Sequence, residues 1–306
     1  MVVGFGLINK DFVAVVPSWE RDTKVRASRY FEQVGGPVPV ALTAAARLGG
    51  LSCVHLGVVG DDRDADDLAH WLDAQGVSPD LQRADGVATS RSLVLLDERD
   101  GSRTLANYAE ELPMMTFTAA HDELLSQASL LHIDGRDLSG ALHAARVVKA
   151  AGGQVSFDLG TMREGREALF PLCDVVLASK GGGAGAFPQH ADTPAEQVRG
   201  FLAAGVKVAG VTLAEKGVML ATQEQPEPVF LPAFPIANVV DTCGAGDVFH
   251  GAFCWAYASG MPAHKAVNFA QATVALRIQH YGNRAGLPDQ AAVEAFLAVR
   301  LLTLGL

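Results

Sequence analysis

The sequence predicts an α/β fold, a doubly wound and mostly parallel sheet carrying a small second β unit. Short apolar runs alternate with amphipathic helical stretches along most of the 306 residues, the pattern of βα units around a parallel sheet. Hydrophobic residues make up 49% of the chain and charged ones only 19%, enough apolar material to bury a large core. Two stretches, 11–33 and 88–110, break the rhythm with strand-like segments and few helix signals, which marks them as a separate small sheet. No Pro- or Ser-rich linker divides the chain, so residues 1–306 read as one domain with those segments attached.

In chain order, the expected strands of the main sheet run from Val2 to Gly6, Val54 to Val59, Leu130 to Asp134, Val155 to Asp158, Val175 to Ala178 and Val208 to Thr212. A helix is expected from Asp64 to Gln75, where Leu68, Trp71 and Leu72 share a face and Gly76 supplies the stop. Leu138 to Ala151, ending at Gly152, reads the same way. Within the second odd stretch, Glu98-Arg99-Asp100-Gly101 is an Asp-Gly hairpin turn between two strand-like runs. The run Gly181 to Gly185 reads as a flexible loop after the Val175 strand.

A formal charge of −10 leaves no basic stripe for a nucleic acid, so any phosphate site must be local and built from backbone amides. Cys53, Cys173, Cys243 and Cys254 show neither CxxC spacing nor a paired His cluster, which points away from zinc fingers and disulfide frameworks and toward a reducing cytoplasm. No apolar run reaches the roughly 18 residues of a membrane span, and no basic leader opens the chain.

The sharpest signal is Asp241-Thr242-Cys243-Gly244-Ala245-Gly246-Asp247, followed by an apolar helical pattern. Small residues let backbone amides approach an anion, and the helix start adds partial positive charge. An acid there would repel phosphate. Asp247 is therefore either a first-turn acid stabilised by the helix dipole or a base that takes a proton from an attacking hydroxyl. Gly4-Phe5-Gly6 lacks the third glycine of a dinucleotide motif, so an oxidoreductase is set aside.

The string DTCGAGDVFHGAF resembles the signature DTxGAGDxFxGxf of the ribokinase-like (PfkB) carbohydrate kinases, and the resemblance spans essentially the whole chain. Gly35-Gly36 with the following Ala-rich helix, Gly57 to Asp62, and Val211 to Gly217 resemble the family's other segments. The branch it looks most similar to contains ketohexokinases and a sulfofructose kinase. The resemblance implies a Rossmann-like sheet with a small β lid, ATP and Mg2+ as cofactors, a small sugar as acceptor, and a homodimer formed through the lid. It implies Asp247 as catalytic base and the amides of Gly244, Ala245 and Gly246 as the anion hole. Asn9, Asp11, Lys24, Gly35, Gly36, Asn107 and Arg136 fall at sugar-facing positions, and Thr212, Ala214, Lys216, Gly217 and Gln271 at nucleotide-facing ones. Asp241 and the Cys243 carbonyl fall where several relatives bind a monovalent cation such as K+.

Four departures stand out. Val40 replaces an Asn of the first signature, Ser179-Lys180-Gly181-Gly182 replaces the NxxE linked to magnesium, and Ala214 and Ala65 replace glycines. Magnesium is then expected to be held mainly by ATP and water. A nucleoside kinase of the same superfamily would share Asp247 and the anion hole, and a non-catalytic sugar or nucleotide sensor could arise from the losses.

Overall fold

The computed structural model describes residues 1–20, 22–108 and 111–304, with side chains described to residue 300, so the ends of the expected 88–110 segment lie outside it at residues 109 and 110. The first strand, β1 (Val2–Phe5), is followed by β2 (Asn9–Val16), β3 (Arg29–Gly35) and helix α1 (Pro37–Leu48). Next come β4 (Cys53–Gly60), α2 (Arg63–Asp73), β5 (Val77–Ala84), β6 (Arg91–Asp97), β7 (Arg103–Tyr108) and α3 (Ala119–Ser126). The central βα units are β8 (Leu130–Ile133), α4 (Leu138–Ala150), β9 (Gln154–Leu159), β10 (Val175–Ser179), α5 (Lys180–Ala186), α6 (Pro194–Ala203) and β11 (Val208–Thr212). The chain closes with β12 (Gly217–Thr222), β13 (Val229–Pro232), α7 (Ala245–Ala258), α8 (Ala263–Arg277) and α9 (Gln290–Leu304).

Nine strands form one sheet in the order β13-β12-β11-β10-β9-β8-β1-β4-β5, parallel except where β12 and β13 turn back. The period of two in each strand decides which face a residue covers. Val175 and Leu177 join a core with Phe253 of α7, Phe269 of α8 and Leu42 of α1. Their neighbours Val176 and Ala178 point the other way, into a core with Val148 of α4 and Phe201 of α6. Both faces are thus buried, which is why these strands read as continuous apolar runs.

The two odd stretches form a four-stranded sheet, β3-β2-β6-β7. Its register places Asp11 beside Gln33 and Ser92, and Ser92 beside Asn107, so one row of polar side chains crosses all four strands. Phe12, Tyr30 and Leu93 occupy the opposite face. Lys10 pins this sheet to the body through ion pairs to Asp64 and Asp67 of α2 at 3.0 and 2.8 Å.

The glycine run after β10 is a correction to the sequence reading: residues 180–186 are helix α5, not a loop. The Ser179 hydroxyl caps it by accepting from the Gly182 amide at 2.9 Å. Gly182 and Gly183 are there for close packing, because a Cβ at either would strike the Leu159 carbonyl or the Gln197 amide oxygen.

Helix α7 presses on α1 at Gly251, where a Cβ would come within 2.6 Å of the Ala41 carbonyl carbon. Alanine normally favours a helix interior over glycine by about 0.5–1 kcal/mol. Here the sign reverses. Gly251→Ala should lower stability by roughly 1–3 kcal/mol through overpacking, measured by urea denaturation; an unchanged or raised midpoint would contradict the close approach.

Candidate active site

The parallel strands deliver their carboxyl ends to one edge, the edge where open α/β sheets place ligands. There the loop Asp241–Gly244 leads into α7. Gly244 takes a left-handed conformation (φ 70°), and a Cβ on it would lie 2.5 Å from Asn283 Oδ1, so glycine is required twice over. The Ala245 amide bonds back to the Thr242 carbonyl at 3.3 Å. This leaves the amides of Gly244, Gly246 and Asp247 without an acceptor among the described residues, and Gly246 fronts open space. Of the three amides expected from the sequence, Ala245 is therefore the one already engaged.

Asp247 is the third residue of α7 and half-buried. Loss of solvent, and then the negative charges of Asp158 and Asp11, push its pKa up to about 7, against the pull of Arg103 and Arg277. Its carboxylate is thereby matched to neutral pH. Asp158, penultimate in β9, is raised in the same way by burial and by Asp134.

A buried guanidinium holds this loop. Arg277, fully buried at the end of α8, donates to the Asp241 carbonyl, to Asp241 Oδ2 at 3.4 Å and to Asn283 Oδ1 at 2.9 Å. The remaining Asp241 lone pairs accept from the Cys243 amide at 2.7 Å and the Gly282 amide at 2.8 Å. From the lid sheet, the Gly101 carbonyl accepts from the Thr242 hydroxyl at 2.8 Å and its amide at 3.1 Å, docking the hairpin turn on the anion loop.

The lid row brings together a hydrogen-bonded set of polar side chains. Asn9 donates to Asp11 at 2.6 Å and to Ser92 at 2.8 Å; Ser92 donates to Asn107 at 2.9 Å; Gln33 donates to Asp11 at 3.4 Å. Asn9 and Asp11 are buried, and Asp11 is raised chiefly by desolvation. Gly35 ends β3 against these two groups, where a Cβ would fall 2.5 Å from the Asp11 carboxyl carbon. Gly36 (φ 105°) then turns the chain into α1. Arg136 extends from the loop after β8, its amide bonded to Asp134 at 2.8 Å and its charge disfavoured by desolvation and by Arg163. Lys24 is exposed on the loop between β2 and β3.

Toward β11, Thr212 ends the strand with its hydroxyl 3.4 Å from the Ala178 carbonyl. Ala214 adopts φ 52°, the conformation glycine supplies at little cost, and Lys216 beside it is exposed. Gly217 (φ 128°) has no room for a side chain, since a Cβ would lie 2.8 Å from the Ala233 amide. Gln271 is buried in α8, its Oε1 without a partner.

Sequence reasoning missed Gln33, Ser92, Arg103, Arg277 and Asp158. The first two follow from register with Asp11 once the lid strands are paired; Arg277 leaves no sequence signal at all.

The chain matches the model of the pfkB family carbohydrate kinases over residues 1–290. Mouse ketohexokinase is 28% identical over 281 residues, covering 86% of this chain and 91% of the relative. A ribokinase from Thermotoga maritima superposes with a TM-score of 0.82 at 26% identity, over 97% of this chain and 99% of the other. A ribokinase II candidate from Escherichia coli, in complex with ATP and Mg2+, superposes with the same score at 25% identity over the same shares. Fold and site define a phosphotransferase with an alcohol acceptor. The chain belongs to the pfkB family of carbohydrate kinases, as an ATP-dependent sugar or nucleoside kinase.

With the Asp247 pKa near 7, kcat/KM should rise about tenfold per pH unit below pH 7 and level off above it, since only the carboxylate can accept a proton. A profile flat from pH 5 to 8 would count against a base at this position.

Proposed function

We propose that this kinase transfers the γ-phosphoryl group of ATP to a primary hydroxyl of a fructose-like ketose, with Asp247 as general base. The observation that carries this reading is the Asp247 carboxylate, set on the first turn behind free amides and electrically coupled to Asp11 of the hydroxyl-binding row. Asp11, Asn9 and Asn107 orient the sugar hydroxyls, and Gly35 and Gly36 let the backbone approach them. The amides of Gly244, Gly246 and Asp247, backed by the helix dipole, face the charge that spreads over the transferring group. Ala245 contributes its small size and the turn.

Thr212, Ala214, Lys216 and Gly217 line the nucleotide side, with Gln271 behind them. Magnesium fits as an ion carried by the ATP phosphates and water: Gly182 stands where a carboxylate is expected, and the Ser179 hydroxyl is committed to capping α5. When bound, the ion neutralises phosphate charge. A monovalent cation at Asp241 and Cys243 is superfluous in this chain, because the Arg277 guanidinium already occupies the Asp241 carbonyl and carboxylate. The exposed Tyr30, Leu93 and Tyr108 give the outer lid face an apolar surface suited to a homodimer. Four buried free thiols suit the cytoplasm.

Arg136, with Arg163 and the buried Arg166 near it, favours an acceptor bearing an anion, of which sulfofructose is the example. Arg136→Ala should raise KM for an anionic ketose by roughly tenfold or more while sparing fructose, as expected for one lost charge-assisted bond. Equal effects on both sugars in steady-state assays would remove the anionic acceptor from the proposal.

Asp247→Asn keeps size and turn geometry but removes the basic lone pairs. Turnover should fall by roughly 100- to 10,000-fold, with sugar and ATP affinity changed much less. If Asp247 acted only on the helix dipole, the variant would lose about 0.3–1 kcal/mol of stability and keep its turnover. Kinetics and thermal melting on one preparation separate the two outcomes.

A further inference from the structure

His132 of β8, Asp158 of β9 and His250 of α7 form a buried group that phosphoryl transfer leaves unused. One ligand-capable atom from each lies within 4.8 Å of the other two. His250 Nε2 and Asp158 Oδ1 are 3.3 Å apart, about the edge of a tetrahedron whose ligands stand roughly 2.0–2.1 Å from a zinc ion. His132 Nε2, the nitrogen not engaged by Cys254, has no hydrogen-bond partner, although its residue is only 1% exposed. A buried imidazole nitrogen in that state calls for an occupant.

We propose that His132, Asp158 and His250 form a binding site for one borderline transition-metal dication such as Zn2+, separate from the Mg2+ that accompanies ATP. Two imidazoles and one carboxylate select that class over Mg2+, which takes oxygen ligands. His132 has an outer-shell contact: Cys254 Sγ lies 3.6 Å from His132 Nδ1 and bonds Ser156 Oγ at 3.4 Å, which leaves Nε2 of His132 to face the site. The carboxylates of Asp134 and Asp247 add negative field around Asp158, while the opposing Arg166 is committed to the carbonyls of Gly135 and Thr161. Asp158 lies at the carboxyl edge of the sheet and, at 7%, is the most exposed of the three. A bound ion would cross-link β8, β9 and the helix carrying Asp247.

The test uses full-length protein stripped with a chelator, reloaded with Zn2+ and washed. Elemental analysis should find one retained Zn2+ per chain, Co2+ in its place should give the visible absorption of a four-coordinate site, and Zn2+ should raise the melting temperature. His132→Gln and His250→Gln should each weaken binding by roughly 100-fold or more, beyond the 10- to 100-fold typical of outer-shell changes. His143→Ala, which removes a half-buried histidine of α4 that is 2.7 Å from Asp122 and is none of the three ligands, should keep the full equivalent and the full melting shift. Wild-type protein that takes up neither Zn2+ nor Co2+ overturns the proposal. So does full retention with an undiminished melting shift in both His132 and His250 variants.

Discussion

The arrangement of the site hangs on a single buried ion pair, Arg277 with Asp241. A guanidinium with no exposed surface is costly to bury, and it is tolerated here because its fork is met by a carbonyl, a carboxylate and the Asn283 side chain. The same partners fix three separate pieces of chain. Asp241 heads the anion loop, Gly282 and Asn283 belong to the connection after α8, and the Asn283 amide bonds Gln33 of the lid at 2.8 Å. Through Gln33 the chain of bonds reaches Asp11. The Asp241–Gly244 loop and the polar row of the lid are thus held by one network, and the distance between them cannot change without breaking one of these bonds.

That network also concentrates acid. Asp11, Asp134, Asp158, Asp241 and Asp247 converge on one edge of the sheet, and only Asp241 has a guanidinium bonded to it. The others are raised chiefly by desolvation, with Asp241 adding to it at Asp11, Asp134 at Asp158, and Asp158 and Asp11 at Asp247. Such an arrangement costs stability at neutral pH, where each buried carboxylate resists ionising, and it holds the Asp247 carboxyl at a pKa of about 7. The lid contributes to this balance from both ends: its row brings Asp11 toward Asp247, and Arg103 of β7 opposes the effect.

Much of this was legible in the sequence, for reasons that differ by element. The strands of the main sheet were readable because burial on both faces makes them unbroken apolar runs, as in Val175 to Ala178, and the helix over Leu68 to Leu72 because its period is 3.6. The hairpin at Glu98 to Gly101 followed from turn chemistry. Helix α5 was not legible: five small residues in a row read as a loop, and only the tertiary contacts of Gly182 and Gly183 turn that composition into a packed helix. The hydroxyl-binding row was half legible. Asn9, Asp11 and Asn107 stood in recognisable segments, whereas Gln33 and Ser92 become visible only through strand register. Lys24, placed by resemblance near the sugar, lies on an exposed loop between β2 and β3.

The departures from the family pattern show what the geometry demands and what it does not. Val40 gives up a polar group, yet it packs with Ala44 and Leu287 against Val248, the residue after Asp247, so the turn carrying the carboxylate is braced by apolar contact. Ser179 gives up an amide, yet its hydroxyl donates to the Gly160 carbonyl at 2.7 Å while capping α5, tying the ends of β9 and β10 together. Ala214 still takes the left-handed turn and carries the strain. The one function with no replacement is the carboxylate at Gly182, where the Leu159 carbonyl fills the space a side chain would need. The buried acid of this edge lies instead at Asp158 and Asp247, on β9 and the first turn of α7.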